Sequence, residues 1–352
     1  MPSVADFAIV GAGFSGLSAA AWLRRFAPDK SVVVFESASI GAGASGHTGG
    51  MVLAETAAGD LPGLGDVLAG FESILRDLQV ECDLALPGVF EVGRSGGLSD
   101  SPIAWPDSGI VRVVKHVPGG TIDPGKMVSG LARAAEKNGA LIFENVAVQD
   151  VEFAETSCLR FSGGELRARK VLFAANAMSL EMSALQSRAR PKFTLAVATE
   201  PLNAEQWNGL GLSSLNPFYT VDFPYLWGRP LATGGYIFGC GLVGVENWRE
   251  FEELNISGWQ SAELFSRLET RVRGLHPSMN DVTFGRRWGG PILIADEWRP
   301  IFEQHPRSAN ALVMGAFSGH GVAQSVYLGR WAAEVLCSRM ALPNWTAHHE
   351  SA

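Results

Sequence analysis

The chain has few cysteines, little charge and no long apolar run. Its four cysteines, Cys82, Cys158, Cys240 and Cys337, form no CxxC pair and no zinc-ligand spacing. A disulfide scaffold and the common structural zinc sites are excluded, no metal is expected, and the thiols are expected to be reduced in a cytoplasmic protein. Apolar stretches are broken by glycine or charge short of the ~20 residues a membrane span requires. The opening MPSVADFAIV lacks the basic start of a secretory signal, so no transmembrane segment is expected. An excess of positive charge is missing too: 28 Lys and Arg against 36 Asp and Glu leave a net charge of −8. That balance argues against a nucleic-acid partner. There is no nucleophile elbow, no HExxH and no P-loop.

Glycine is abundant, with 41 in 352 residues, against an average usage of about 7%. No collagen-like period accompanies it, so the excess belongs in turns and close backbone approaches. The length suggests roughly two domains.

Phe7-Ala8-Ile9-Val10 suits a parallel strand buried on both faces. Gly11-Ala12-Gly13-Phe14-Ser15-Gly16 follows at once, then a helix from Leu17 to Phe26, then a second strand, Ser31 to Phe35, ending at Glu36. In such a β-α-β unit Gly11 permits the tight turn and Gly13 lets the backbone approach a pyrophosphate. Gly16 lets the helix pack on the sheet. The helix start directs free N–H groups at phosphate. Glu36 can accept bonds from ribose hydroxyls and would repel a 2′-phosphate. An adenosine dinucleotide is favoured, with NAD and FAD both open.

A second glycine loop, Gly41-Ala42-Gly43-Ala44-Ser45-Gly46-His47-Thr48-Gly49-Gly50-Met51-Val52, comes next. Its small residues and hydroxyls would let backbone pass under a planar ligand. Near the other end, a strand over 311–316 leads into Phe317-Ser318-Gly319-His320-Gly321-Val322-Ala323, and a helix is predicted from Gln324 to Met340.

Together with Thr121-Ile122-Asp123-Pro124 and Ala174-Ala175-Asn176-Ala177, these motifs resemble the D-amino-acid-oxidase-like family of FAD-dependent oxidoreductases. The GASGxxGG form most resembles the gamma-glutamylputrescine oxidase branch. The resemblance runs from end to end and implies an α/β fold, a Rossmann-type FAD-binding domain interleaved with a mainly antiparallel-sheet substrate domain. The cofactor domain would be assembled from residues 1–60, 116–182 and 286–352, and the substrate domain from 61–115 and 183–285. It implies cofactor contacts from Gly11, Gly13, Phe14, Ser15, Gly16, Glu36 and Ser37 in the first unit. The second loop would add Ala44, Ser45, Gly46, His47, Gly50, Met51 and Val52. Val146 would lie beside the adenine and Ala175 and Asn176 under the cofactor. Gly290, Gly315, Gly319, His320, Gly321, Val322 and Ala323 would complete the set.

In the middle, a helix is predicted over 122–138, started by Thr121 or Asp123 with Pro124 in its first turn. Strands are expected over 140–144, 146–148, 158–161 and 170–174. From residue 185 the character changes. Strand-like alternation covers 194–199, 218–227 and 235–242, and a helix is expected from Gly258 to Val272. Within 60–115 only a helix over 67–80 is legible.

Flavin amine oxidation asks the protein to hold a C–H near the cofactor, keep the amine neutral and exclude water. Aromatic faces suit an alkylammonium group and an arginine fork suits a carboxylate. The candidates are Tyr225, Trp227, Arg229, Arg286, Arg287 and Trp288, each with core packing or surface ion pairing as the alternative. Tyr225, Arg287 and His320 are put forward as catalytic, although the preferred reading of His320 is a structural turn residue near the flavin with no proton-transfer role. In the sarcosine oxidase pattern a flavin-linked cysteine precedes the last strands, and here Trp288-Gly289-Gly290-Pro291 has none. The pattern's substrate-carboxylate lysine falls on Ala323. Its oxygen-activating lysine follows Gly239-Cys240-Gly241-Leu242, where this chain has Val243; Lys192 is a possible substitute. The first departure favours non-covalent FAD, although a histidine near His47 carries the cofactor in the dimethylglycine dehydrogenase branch; the second argues against a sarcosine-like amino acid and the third against fast reaction with oxygen. The expectation is oxidation of a C–N bond in a small amine or amino acid, with O2 as acceptor or, alternatively, a quinone or carrier protein. A non-catalytic flavin protein and an NAD dehydrogenase are the rival classes. Substrate and oligomeric state stay open.

Overall fold

Apolar runs that end in glycine build the first sheet. The computed structural model describes residues 1–94, 111–210, 216–221, 225–244, 259–343 and 345. In it, strand Val4–Val10 runs parallel to Gly164–Phe173 on one side and to Val32–Phe35 on the other. The sheet reads Ile301–Gln304, Ala311–Gly315, Gly164–Phe173, Val4–Val10, Val32–Phe35, Leu141–Phe143. A strand from the last fifth of the chain thus lies two places from the first. Strands Val148–Glu152 and Ser157–Phe161 extend the sheet antiparallel from the early half of Gly164–Phe173.

Strand parity divides this sheet's side chains between two layers. Phe7, Ile9, Val32, Val34 and Leu172 pack under the helices Phe14–Phe26, Pro124–Lys137 and Gly321–Leu336. Ala8, Val10, Val33, Val171 and Phe173 pack on the opposite face with Val151, Leu159, Leu180 and Leu293. The helices Phe14–Phe26 and Gly321–Leu336 cross closely because their contact is made of small residues. Ser18 Oγ donates to the Val326 carbonyl at 2.7 Å, and a methyl group on Gly329 would stand 2.7 Å from the Ser15 carbonyl oxygen.

Several boundaries differ from the sequence reading. Helix Pro124–Lys137 begins later than expected because Asp123 caps it, accepting from the Lys126 N–H at 2.9 Å. The last helix is Gly321–Leu336, beginning at the glycine turn itself and ending before Ser338, whose φ of 56° is left-handed. The alternation over 218–227 proves to be two strands, Phe218–Thr220 and Leu226–Pro230, paired antiparallel.

The second sheet has the order Phe284–Ala295, Ala189–Thr199, Tyr236–Gly244, Leu226–Pro230, Phe218–Thr220, Val89–Arg94, Val111–Val117. Its pairs are antiparallel except that of Phe218–Thr220 with Val89–Arg94. Helix Trp259–Arg273 covers one face, with Phe265, Leu268 and Val272 against Phe193, Leu195, Val197 and Phe238. Residues 286–295, grouped by sequence with the cofactor segments, pair along Ala189–Thr199 in this sheet. Conversely, helix Val67–Leu78, grouped with the substrate segments, joins the helical layer of the first sheet. No helix among the described residues is long and apolar enough to cross a membrane.

Candidate active site

The turn after the first strand is set by close backbone approaches. Gly11 has φ +106°, and a Cβ there would lie 2.9 Å from the backbone of Ala174 and Ala175. A Cβ on Gly16 would be 2.0 Å from the Gly11 carbonyl oxygen. That contact brings helix Phe14–Phe26 down onto the turn. A Cβ on Gly13 would meet Ser45 Oγ at 2.8 Å, and Ser45 Oγ accepts from the Phe14 N–H at 3.0 Å. The Glu36 carboxylate accepts from the Ala12 N–H at 2.9 Å, from the Ala38 N–H at 3.0 Å and from Ser37 Oγ at 3.3 Å. It is thereby fixed at the end of its strand with acceptor capacity left over.

The second glycine loop is not wholly irregular. Ala44–His47 makes one helical turn, closed by the Gly46 N–H on the Gly41 carbonyl at 2.9 Å. His47 Nδ1 bonds the Gly43 carbonyl at 2.9 Å, and the His47 carbonyl accepts from Trp288 Nε1 at 3.0 Å. Gly49 lies against the Trp227 ring, and Arg229 Nε donates to the Gly49 carbonyl. The loop is therefore clamped between the Gly11 turn and the second sheet. Met51–Leu53 then pairs antiparallel with Gly119–Thr121.

The C-terminal turn is strained. Ala316 and Ser318 have φ of 53° and 51°, a conformation that costs such residues about 1–2 kcal/mol, and Asn176, packed beside them, has φ 51°. Hydrogen bonds hold it: Asn176 Oδ1 accepts from the Ala316 N–H at 2.9 Å, and Ser318 Oγ accepts from the Ala295 N–H at 3.0 Å. The strain aims the start of helix Gly321–Leu336 at the Gly11 turn's cavity. Burial holds His320 below the ordinary histidine value, against the opposing pull of the Ser318 carbonyl and the Glu55 charge.

These pieces line one cavity of about 1640 Å³. That exceeds the roughly 300–1,000 Å³ of ordinary ligand pockets, leaving room for a dinucleotide and a second small molecule. Gly11, Gly13, Phe14, Ser15, Glu36, Ser37, Ala44, Ser45, His47, Met51, Val146, Ala175 and Asn176 line it. So do Gly290, Gly319, His320, Gly321, Val322 and Tyr225. The capping pattern fits a diphosphate-bearing group such as FAD. Asp66 and Asp123 cap the helices that begin away from this cavity. The two long helices that begin on it, at Gly13 and His320, have no side-chain cap. Apart from the Phe14 N–H, which Ser45 Oγ accepts, the first N–H groups of both helices have no side-chain acceptor among the described residues, and two such helix starts on one cavity suit an anionic ligand.

Six expected cofactor residues, Gly16, Gly46, Gly50, Val52, Gly315 and Ala323, are not on the cavity wall. Gly16, Gly46 and Gly50 shape it from behind, each against a backbone carbonyl that a Cβ would strike. Val52 and Ala323 are core, and Gly315 packs on Asn176.

Arg287, expected to meet substrate, is a correction. Its Nε bonds the nearly buried Glu269 of helix Trp259–Arg273, on the sheet face opposite the cavity. Strand parity is the reason, because Trp288 takes the cavity face. Arg229 is engaged with Gly49, and Lys192 does not reach the wall.

Sequence reasoning missed Tyr219 and Glu55, both on the wall and joined by a Tyr219 hydroxyl to Glu55 Oε1 bond of 3.3 Å. It also missed Arg307, which lies 4.8 Å over the Phe153 ring at the end of the cavity that includes Val148 and Asp150. Only a fold that brings positions 164 apart together reveals the first pair.

The chain is similar to known proteins along almost all of its length. It is 26% identical over 376 residues to gamma-glutamylputrescine oxidoreductase of Escherichia coli (strain K12), spanning 94% of this chain and 83% of that one. Glycine oxidase from Geobacillus kaustophilus superposes with a TM-score of 0.75 at 17% identity, covering 97% of this chain and 96% of that one. L-proline dehydrogenase from P. horikoshii gives 0.75 at 16% identity over 98% and 97%. The last two share the fold. Residues 6–335 match the family described as DAO, FAD dependent oxidoreductase, and the chain belongs to that family.

Proposed function

We propose that this protein binds FAD non-covalently and oxidises a C–N bond of a small amine or amino acid to an imine. The single observation that carries the reading is the continuity of the cavity. A crevice lined by Glu36, with two helix starts that lack an N-cap side-chain bond, opens into a chamber walled by Tyr219, Tyr225, Trp227 and Trp288. The relatives are named for gamma-glutamylputrescine, glycine and L-proline, all amines or amino acids, which supports the same substrate class.

When bound, FAD supplies the acceptor for a hydride from the carbon next to nitrogen. The protein's part is placement. Gly13, Ser15 and Gly321 would present backbone N–H groups to the anionic parts of the cofactor. Glu36 would receive the ribose hydroxyls. The aromatic walls would exclude water and hold the amine. Burial disfavours the charged form of His320, so it would serve as a neutral hydrogen-bonding group. His47 has its Nδ1 bonded within its own turn, which supports a structural role over a covalent link.

Anaerobic addition of an amine and amino-acid panel to the yellow holoprotein tests this. Loss of the 450 nm flavin band with at least one compound is expected, and no bleaching by any of them would overturn the reading.

The second reading, electron transfer to a quinone or carrier protein, is favoured by Val243 in place of the oxygen-activating lysine. Among the described residues, no lysine lines the cavity. Reduced flavin lingering for minutes in air would support it, and reoxidation within seconds would support O2.

A further inference from the structure

The charge inventory of the chamber narrows the substrate. Among the described residues, the cavity wall carries one guanidinium, Arg307, and no lysine ammonium. Arg307 packs on Phe153 at the end lined by Val148 and Asp150. That is away from the second sheet, so it is badly placed to receive a substrate carboxylate there. Leu53 lines the wall where the chain leaves the second glycine loop, and Ala323 is fully buried behind it. A carboxylate desolvated in this chamber would find no cationic partner among the described residues, a costly state.

The second-sheet side holds an anion instead. Glu55 is half-buried on the wall and makes no ion pair among the described residues. Its Oε1 accepts from the Tyr219 hydroxyl at 3.3 Å. Its backbone carbonyl is tied to Gln324 Nε2 at 2.7 Å, which anchors it to the first turn of helix Gly321–Leu336. His320, the N-cap residue of that helix, feels the Glu55 charge yet is held toward the neutral form by burial. A carboxylate in a cavity that Tyr225, Trp227 and Trp288 also line suits a cation. The reacting nitrogen itself must be neutral to lose hydride from its carbon, and a carboxylate beside it would favour its ammonium form. Glu55 therefore suits a nitrogen other than the one oxidised.

We infer that Glu55 is a specificity residue that receives a second, cationic nitrogen of the substrate. The substrate class is then a diamine or longer polyamine rather than a simple α-amino acid. The inference rests on the amine-oxidation reading for its chemistry but not for its test.

The test is calorimetric titration of the anaerobic holoprotein with 1,4-diaminobutane, n-butylamine and glycine, for the wild type and for Glu55→Gln. Flavin content of the variant checks its folding, and Tyr219→Phe serves as a milder second variant. Wild-type protein should bind the diamine at least about 10-fold more tightly than n-butylamine. Glu55→Gln should weaken diamine binding about 10- to 100-fold while changing n-butylamine less than about 2-fold, magnitudes set by loss of a charge-assisted pair. Tyr219→Phe should weaken the diamine by a few-fold. An unchanged diamine-to-monoamine ratio in Glu55→Gln, no diamine binding to the wild type, or tighter binding of glycine would each overturn the inference. Flavin bleaching is read in the same cuvette. Binding without bleaching would count against amine oxidation and leave the role of Glu55 standing.

Discussion

Individual side chains divide into those that touch the cavity and those that hold the surrounding structure together. Arg287 belongs to the second kind. Glu269 is only 8% exposed, and Arg287→Ala would remove its near partner, leaving Arg273 at 3.6 Å. A destabilisation of about 1–2 kcal/mol is expected, below the value for a fully buried pair because Arg287 is half exposed. Thermal melts should register the loss while flavin content per chain stays at the wild-type value. A fall in flavin content with unchanged melting would contradict this placement. Ser45 belongs to the first kind. Ser45→Ala leaves the Phe14 N–H without its acceptor at the mouth of the nucleotide turn, which should cost about 1 kcal/mol and raise the FAD dissociation constant about 5-fold, measured by flavin fluorescence on reconstitution. His305 gives a pH signature. Its Nε2 meets the Met182 carbonyl and its Nδ1 accepts from the Arg307 N–H, each at 3.1 Å. The neutral ring satisfies both bonds and a second proton would break one. Burial also holds its pKa below the ordinary value. The unfolded chain therefore takes up a proton that the native one resists as pH falls below about 6.5, and stability drops by up to about 1.4 kcal/mol per pH unit in that window. Melting temperature should fall between pH 7 and 5.5, and His305→Gln should flatten the slope.

At the scale of elements, the join between helices Phe14–Phe26 and Gly321–Leu336 matters most, because it brings the two uncapped starts to one cavity. Gly329→Val would drive a branched side chain into Ser15 and Ser18. Overpacking of this kind costs roughly 1–3 kcal/mol, and melting temperature and flavin content should fall together. If only one of them fell, the coupling of the helices to the site would be wrong. Elements read from local signals were legible in the sequence. Phe7 to Val10 with its glycine turn, and the helix led by Asp123, depend on neighbours within a few residues. What was not legible depends on distance in the chain. The face taken by Arg287 follows from the register of a strand of 12 residues, and either parity fits Gly285-Arg286-Arg287-Trp288. The Glu55–Tyr219 pair and the assignment of helix Val67–Leu78 to the nucleotide layer arise only when three separate segments meet.

For the whole molecule, the site is a seam between two sheets, each incomplete without the other. The nucleotide sheet supplies backbone N–H groups and Glu36, and the antiparallel sheet supplies aromatic walls. The strand Phe284–Ala295 spans both, with Phe284 in the core of the second sheet and Leu293 and Ala295 in that of the first. On the proposed reading this seam holds one FAD, and the absorbance spectrum of the purified chain, followed by heat release and quantitation of the nucleotide, checks that occupancy. One FAD per chain, freed by heat without proteolysis, is the predicted result. A colourless protein that takes up no FAD on reconstitution would contradict it.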